Sequence, residues 1–205
     1  MHVILWIVGL TFLAYFIGSF PTGFLLVKFV KGIDIREIGS GSTGATNVKR
    51  ILGKKGFWTV MLIDCFKGLL PVLFSKYLEV KLNLYPNLSI LPVLVSIAII
   101  IGHSKSIFLG FKGGKSVACG SGTIMGLNLS VGLITFVIWS TLTYTTKYVS
   151  IGSIVALLLT SVWMYFFKQP VIYIIYCFMG SLYIIWLHRE NIKRLLNGTE
   201  SKVRN

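Results

Sequence analysis

The sequence is poor in acidic residues and in charged residues altogether. Asp and Glu together account for 6 of its 205 residues, and charged side chains make up 13% of the chain. A soluble domain normally carries about 25% charged residues, so this class of protein is excluded. The apolar residues, 55% of the total, are collected in runs long enough to cross a lipid bilayer. We therefore predict an all-α polytopic membrane protein in which residues 1–205 form one membrane-embedded domain.

Cysteine patterns, a cleavable leader and two catalytic signatures are also missing. The three cysteines are far apart in apolar sequence, which predicts small buried side chains rather than disulfides or a metal site. No basic residue precedes the first apolar run, so a signal peptide is not expected. No His is followed five residues later by Asp, as in soluble-type lipid acyltransferases, and no Gly-x-Ser-x-Gly nucleophile elbow occurs. We expect no metal and no cofactor.

Basic residues are abundant, and the net charge is +14. They lack the interleaved aromatic residues of a nucleic-acid surface, so nucleic acid is not expected as a partner. Most of them fall in loops between apolar runs, which indicates a cytoplasmic face in contact with anionic head groups or substrates. The apolar runs cover Val3–Val27, Phe57–Leu78, Leu88–Gly102, Val117–Thr146, Ile151–Phe167 and Val171–Leu187. A basic loop is predicted over Lys28–Lys55 and a polar turn over Lys76–Asn87.

The number of membrane spans depends on the run Val117–Thr146, which at about thirty residues is longer than the ~20 that one span needs. A single tilted helix gives six spans and places the basic C-terminal tail opposite the other basic loops. A break near Asn128 gives seven spans and brings most basic residues to one side. The positive-inside rule therefore favours about seven transmembrane helices, with the N-terminus outside and the C-terminus cytoplasmic.

A small polar segment, Gly39–Arg50, lies between the first two apolar runs. Its three glycines can adopt positive φ, which lets backbone amides converge on an anion. Lys49 and Arg50 follow directly, so the segment predicts a phosphate site. The glycine spacing also matches a dinucleotide-binding pattern, but no βαβ unit surrounds it. A flexible interhelical loop remains the alternative, although so many hydrogen-bond donors would not be needed in a simple connection.

Two further segments carry polar chemistry. Gly113, Gly114 and Lys115 resemble the end of a P-loop, but the preceding glycine is one residue too close and no strand leads in. An ATPase is therefore not expected, whereas a second phosphate cradle is. His188 and Asn191 open the basic tail, and on a continuing helix their i, i+3 spacing places them on one face.

Asp64 and Lys67 are ionisable residues inside the second apolar run. Ionisable groups at membrane depth are functional candidates by default. At a spacing of i, i+3 on a helix, however, the two side chains are neighbours and can neutralise each other. We predict a structural ion pair.

The polar motifs occur together over nearly the whole chain: Gly18-Ser-Phe-Pro-Thr-Gly23, Gly39-Ser-Gly with Gly44-Ala-Thr-Asn-Val-x-Arg50, Asp64-x-x-Lys67-Gly, Phe111-Lys-Gly-Gly-Lys115, Tyr148-Val-Ser150 and His188-x-x-Asn191-Ile-x-Arg-Leu. In this order and spacing the sequence resembles the acyl-phosphate-dependent glycerol-3-phosphate acyltransferases of bacterial phospholipid synthesis, the PlsY family. The resemblance implies a seven-helix enzyme of the bacterial cell membrane with its active site at the cytoplasmic face. It implies transfer of a fatty acyl group from acyl phosphate to glycerol 3-phosphate, which gives lysophosphatidate and phosphate.

The resemblance also implies site residues and partners. The implied catalytic residues are Ser40, Arg50, Lys115, His188 and Asn191. The implied substrate-binding residues are Gly39, Gly41, Ser42, Gly44, Thr46, Asn47, Gly113, Gly114 and Ser153. In this assignment Ser40, Thr46 and Asn47 hold acyl phosphate, while Arg50, Lys115, Ser153, His188 and Asn191 grip glycerol 3-phosphate. Membrane lipid surrounds the enzyme, and the enzyme that forms the acyl phosphate is a further partner.

Three residues depart from the family pattern. Ser42 stands where Asn is usual, Lys105 where an aromatic residue is usual, and Ser116 where Gly is usual. A divergent paralogue, inactive or with an altered substrate, is therefore one alternative. A transporter of lipid or phosphate is another, but transporters tend to carry internal repeats and midplane charges. This sequence has no repeat, and its polar motifs lie in loops.

Overall fold

The computed structural model describes residues 2–84 and 89–203, and within these ranges the chain is helical, with no strand. The α-helices are α1 (His2–Ser19), α2 (Thr22–Lys31), α3 (Ala45–Lys81), α4 (Ile90–Ser104), α5 (Val117–Leu127), α6 (Leu129–Thr146), α7 (Val149–Leu158), α8 (Thr160–Phe166), α9 (Val171–Leu187) and α10 (Arg189–Leu196). Five helical segments among the described residues are long and apolar enough to cross a membrane. The pair α9 and α10, bent by 60°, makes a sixth if it is counted as one span.

The first apolar run forms two helices rather than one. Pro21 stands at the start of α2 and lacks the amide that would continue the hydrogen bonding of α1. Helix α2 ends at Gly32, whose φ of 74° is left-handed and whose amide donates to the Lys28 carbonyl. The chain then turns back through the segment that carries the first polar motif.

The predicted loop up to residue 55 is wrong in its second half. Helix α3 begins at Ala45, with Gly44 as its N-cap, so Asn47 and Arg50 lie on the first turns of a helix. The polar character of these turns concealed the helix, because charged residues are common at a helix end that leaves the membrane. Helix α3 is interrupted at Gly53, where φ is 70° and ψ is −162°, and it continues to Lys81. The predicted polar turn therefore begins later than expected, and residues 85–87 of that turn lie outside the described residues.

The predicted break near Asn128 is confirmed. Helix α5 ends at Leu127, and the Asn128 side chain accepts a hydrogen bond from the Val131 amide at 3.0 Å to begin α6. With 11 residues, α5 is about 16 Å long, roughly half the thickness of a hydrocarbon core of about 30 Å. Lys76 Nζ donates to the Gly126 and Leu127 carbonyl oxygens at 3.3 and 3.0 Å, which satisfies the free end of α5.

Helix α5 packs closely against α3 through reciprocal small residues. A Cβ at Gly68 of α3 would collide with the Cys119 carbonyl, and a Cβ at Gly122 of α5 would collide with the Cys65 carbonyl. Small residues of this kind let two membrane helices approach closely. The contact fixes the height of α5, and therefore of the Lys115 turn that precedes it, against the long helix α3.

Candidate active site

The predicted polar segments meet around one cavity of about 120 Å³ at the end of the bundle where α3 begins and α9 ends. The cavity is enclosed by the 40–47 segment, the start of α5, the α6–α7 corner, the α9–α10 junction and the tail after α10. Most of the predicted site residues line it: Ser40, Ser42, Gly44, Thr46, Asn47, Arg50, Lys115, Ser153, His188 and Asn191. Gly41, Gly113 and Gly114 instead line a neighbouring cavity, and Gly39 lies against the Asn47 and Arg50 side chains.

The first polar loop has the backbone conformation expected of an anion nest. Gly39 and Gly41 adopt left-handed φ values of 63° and 68°. The buried Asn47 side chain holds the loop: its Oδ1 accepts from the Ser40 amide at 3.1 Å. Its Nδ2 donates to the carbonyl oxygens of Ile35, Ile38 and Ser42 at 3.2, 2.9 and 3.0 Å. Asn47 therefore holds the loop in its conformation through these hydrogen bonds. Its direct contact with substrate stays a prediction.

The second polar turn rests on His103. The Gly114 amide donates to the His103 carbonyl at 3.1 Å, and a side chain at Gly114 would collide with the His103 imidazole. Ser116, where the family usually has Gly, adopts a left-handed φ of 59° and donates its hydroxyl to the Ile100 carbonyl at 2.8 Å. This backbone conformation explains a preference for Gly at the position, and the hydroxyl bond partly offsets the strain for Ser.

The third segment brings two polar side chains to Lys115. His188 lies at the junction of α9 and α10, and Asn191 lies one turn later. Asn191 Oδ1 accepts a hydrogen bond from Lys115 Nζ. His188 Nδ1 lies 2.8 Å from the Ile184 carbonyl, which can only accept, so Nδ1 carries the proton and Nε2 is an acceptor. Burial lowers the pKa of His188 to about 4, so this imidazole is neutral at physiological pH.

Among the described cavity residues outside the membrane spans, Lys115 is the cation whose pKa is shifted most. Burial, reinforced by the nearby positive charges of Arg194 and Arg50, lowers its pKa to about 8. Glu200 acts in the opposite direction. A buried ammonium group beside other cations is stabilised by an incoming anion. The electrostatics of the cavity therefore favour a ligand that carries negative charge.

Glu200 is a site residue that the sequence did not reveal. The tail after α10 folds back, and the Val203 amide donates to the Lys147 carbonyl at 2.8 Å. Glu200 accepts from Ser150 at 3.0 Å, from Asn191 at 2.6 Å and from Arg194 at 2.7 Å. Partial burial opposes ionisation, but these hydrogen bonds outweigh it and hold the pKa of the Glu200 carboxyl below its usual value. The only feature of the sequence that could have indicated Glu200 as a site residue is its acidic side chain in a basic tail.

A second polar cluster lies inside the bundle, and two of its residues, Asp64 and His103, also line the cavity. The predicted pair is confirmed: Lys67 Nζ is 2.9 Å from Asp64 Oδ1. Thr22 donates to the same carboxylate at 2.9 Å, and Lys67 also donates to the Phe20 carbonyl at 2.8 Å. Asp64, His103 and Cys119 have candidate ligand atoms within 4.8 Å of one another. Because the Asp64 carboxylate is already paired with an ammonium group, the expectation of no metal is kept as a prediction.

One side of the cavity is apolar. Its lining there is drawn from α3, α5 and α6 and comprises Phe57, Met61, Val117, Ala118, Phe136 and Trp139. Trp139 Nε1 donates to the Ser153 hydroxyl at 3.2 Å, which places the apolar and polar linings side by side. The cavity can therefore take an anionic group at one end and a hydrocarbon group at the other.

Comparisons with known proteins identify the family to which the chain belongs. The protein-family model described as "Glycerol-3-phosphate acyltransferase" matches residues 8–198. A relative named glycerol-3-phosphate acyltransferase in Nostoc sp. is 48% identical over 93% of this chain and 88% of its own length. A relative of the same name in Desulforamulus reducens is 43% identical over 93% of this chain and 92% of its own.

Solved structures extend the similarity to the whole fold. The crystal structure of PlsY, an integral membrane glycerol 3-phosphate acyltransferase, in its glycerol 3-phosphate form has a TM-score of 0.89 and 36% identity. It covers 97% of this chain, which in turn covers 96% of that structure. The lysophosphatidic acid form of PlsY gives a TM-score of 0.86 at 35% identity, with coverage of 97% and 95%. The chain therefore belongs to the family of glycerol-3-phosphate acyltransferases and shares the all-helical, integral membrane architecture of PlsY.

Proposed function

We propose that this acyltransferase moves a fatty acyl group from acyl phosphate to glycerol 3-phosphate, and releases 1-acyl-glycerol 3-phosphate and phosphate. The observation that carries the proposal is the convergence of Arg50, Lys115, His188 and Asn191 on one cavity that also has an apolar side. Both substrates are phosphates, and one of them has a hydrocarbon chain. A cavity with several cationic and amide donors at one end and aromatic side chains at the other fits that pair.

The acyl phosphate is assigned to the first polar loop and the apolar side. Gly39 and Gly41 turn the backbone so that its amides converge, and Ser40, Ser42 and Thr46 supply hydroxyl groups at the cavity wall. The fatty chain would then lie against Phe57, Phe136 and the neighbouring apolar residues. The enzyme that forms the acyl phosphate is the natural partner, because its product must reach this loop.

Glycerol 3-phosphate is assigned to the opposite wall. Arg50 and Lys115 balance its phosphate, while Ser153 and Asn191 contribute hydrogen bonds. The lowered pKa of Lys115, about 8, fits this role because a bound dianion would favour the charged ammonium. The Gly113–Gly114 backbone supports Lys115 in this position through His103.

The transfer step depends on alignment of the two substrates more than on a protein side chain that acts as a base. The hydroxyl oxygen of glycerol 3-phosphate attacks the acyl carbonyl carbon, a new carbon–oxygen bond forms, and the bond to phosphate breaks. Neutral His188 accepts a hydrogen bond from that hydroxyl through Nε2 and orients it. With a pKa of about 4, His188 is too weak a base to keep the proton, which passes to the departing phosphate. Positioning and charge stabilisation of this kind can each supply several kcal/mol.

The proposal includes a membrane topology. Residues 1–205 form one domain with seven spans, the N-terminus outside and the C-terminus cytoplasmic. The break at Asn128 supports this count, because α5 then adds a short span to the five long apolar helical segments and to α9. The basic loops and the tail share one end, so the positive-inside rule supports a cytoplasmic active site in the bacterial cell membrane.

The test is phosphate release by the purified protein in vesicles supplied with acyl phosphate and glycerol 3-phosphate. We expect release that depends on both substrates, with lysophosphatidate formed in equal amount. A Lys115→Ala variant should lose most of the rate, whereas Lys168→Ala at the far end of the bundle should keep it. A full rate for Lys115→Ala would refute the site assignment, and no release by the wild type would favour the transporter or divergent-paralogue alternatives.

The proton route has a separate test. If the departing phosphate accepts the proton, replacing His188 by Gln should lower the rate uniformly across pH. A shift of the pH–rate profile in the His188→Gln variant would instead show that this imidazole takes the proton itself.

A further inference from the structure

A second cavity, of about 250 Å³, lies beside the active site on the outer side of the Lys115 turn. It shares the wall formed by Ser40, Ser42 and Lys115 with the active site, but its other lining residues are separate. We call it the Lys105 groove and define it by Lys105, Phe111, Lys112, Trp186 and Arg189. Three of these five residues are cations, and none of the three is assigned to acyl transfer.

Two of the three cations of the groove, Lys105 and Arg189, lie against one aromatic ring, that of Trp186. Lys105 Nζ lies 5.9 Å and the Arg189 guanidinium carbon 4.6 Å from the centre of the Trp186 ring. Arg189 also donates to the Trp186 carbonyl at 3.1 Å. Within residues 2–84 and 89–203, Lys105, Lys112 and Arg189 form no ion pair with a carboxylate. The groove therefore carries positive charge that the described part of the chain leaves uncompensated.

The rim of the groove is apolar and open. Phe111 and Trp186, which line the groove, are 58% and 49% exposed. Ile107 and Phe108, in the segment between Lys105 and Phe111, are 44% and 58% exposed. Lys105 caps the end of α4, and its carbonyl accepts from the Tyr15 hydroxyl at 2.8 Å, so the rim lies where a membrane-spanning helix ends. Aromatic side chains beside cations at such a level are typical of the boundary between hydrocarbon and head groups.

We propose that the Lys105 groove binds the phosphate head group of an anionic membrane phospholipid. The unpaired cations complement the phosphate charge, and the exposed aromatic rim would contact the glycerol backbone and upper acyl chains, which free phosphate does not have. The bound head group bridges Lys105 at the end of α4 and Arg189 at the start of α10. It would hold these two elements together beside the Lys115 turn.

The experiment uses the protein in vesicles without either substrate, so its outcome is independent of acyl transfer. Brominated lipids quench a nearby tryptophan, and the contribution of Trp186 is the fluorescence difference between the wild type and Trp186→Phe. Phosphatidylcholine vesicles receive a small share of brominated phosphatidylcholine, phosphatidylglycerol or phosphatidate. We expect the anionic lipids to be enriched at Trp186 by about fivefold or more over phosphatidylcholine. Phosphatidate, whose phosphomonoester carries a charge of about −1.5 to −2, should be enriched most.

A matched pair of variants isolates the groove. In Lys105→Gln/Arg189→Gln, measured with and without Trp186→Phe, the preference for anionic lipids should disappear. Lys81→Gln/Lys168→Gln removes the same charge from exposed lysines elsewhere and should keep the preference. Equal quenching by all three lipids in the wild type would overturn the proposal, and so would an equal loss in both double variants. Loss of the preference on addition of inorganic phosphate would also overturn it, because the site would then bind free phosphate.

Discussion

Two polar clusters of this bundle differ in how their charges are balanced: one pairs its charges within the protein, and the other has a net positive charge. The buried cluster (Thr22, Asp64, Lys67, His103 and Cys119) matches its ammonium with a carboxylate at 2.9 Å, with side chains that are 7% and 2% exposed. The open cluster (Arg50, Lys115, His188, Asn191 and Glu200) has more positive than negative charge and lines the cavity, which Asp64 and His103 of the buried cluster also reach. Charge inside a membrane must be paired to be tolerated, whereas charge at the rim can be left for a ligand. The buried cluster should therefore determine stability, and the open one activity.

The largest expected effect comes from unpairing the buried cluster. Asp64→Asn leaves Lys67 as an uncompensated buried cation, which should lower the free energy of unfolding by about 3–5 kcal/mol. Unfolding in detergent, followed by the loss of helical circular dichroism, measures this change. The double variant Asp64→Asn/Lys67→Met should recover much of the loss, because the stranded charge is gone. A single variant as stable as the wild type would show that the pair is not needed for the fold.

Removing a positive charge from the open cluster should instead lower activity and leave stability unchanged. Arg50 is exposed and forms no ion pair within the described ranges, so Arg50→Ala should leave the unfolding free energy almost unchanged. If Arg50 contacts the phosphate of glycerol 3-phosphate, losing a charge-assisted bond of about 2–3 kcal/mol lowers kcat/KM about a hundredfold. Steady-state kinetics would show this against Lys54→Ala, an exposed cation four residues later in the chain, just beyond the non-helical Gly53. A comparable loss in the Lys54 variant would point to general surface charge instead.

The pH dependence of the open cluster has a defined sign. Because the pKa of Lys115 is lowered to about 8, the free enzyme loses this charge as pH rises through that value. We therefore expect kcat/KM for glycerol 3-phosphate to fall above about pH 8. Lys115→Arg, which stays protonated, should keep its rate to higher pH. Glu200→Gln should move the fall to lower pH, since Glu200 raises the pKa of Lys115; a fall that is unmoved in both variants would exclude Lys115 as its cause.

The smallest effect is expected at Ser116, on the turn between the two clusters. Its left-handed φ of 59° costs a non-glycine residue about 1–2 kcal/mol, while its hydroxyl bond to Ile100 returns about 1 kcal/mol. Ser116→Gly should therefore change the unfolding free energy by less than about 1 kcal/mol. Ser116→Ala keeps the strain without the bond and should be less stable than either. If Ala and Gly behave alike in denaturation measurements, backbone strain at this turn is not significant.

The sequence predicted which residues form the two clusters better than it predicted the helix boundaries and long-range contacts that bring them together. Lys115, His188 and Asn191 were identifiable because polar residues are conspicuous in so apolar a chain, and the pairing of Asp64 with Lys67 follows from helix spacing. The start of α3 at Ala45 was missed because polar residues occur in loops and in helix ends alike. The support of Gly114 by His103 joins segments whose approach depends on the whole fold. Glu200 was missed because a carboxylate in a basic tail, which also contains Glu190, has no periodic pattern around it.

The shortness of α5 has an electrostatic consequence. An α-helix carries a partial positive charge at its first turn, where the leading amides have no partner within the helix, and a partial negative charge at its last. The first turn of α5 borders the cavity through Val117 and Ala118, and the Ser116 hydroxyl is directed to Ile100 instead of to those amides. The opposite end meets the ammonium of Lys76. Helix α5 is thus a fixed dipole whose negative end is neutralised and whose positive end adds to the field that attracts phosphate.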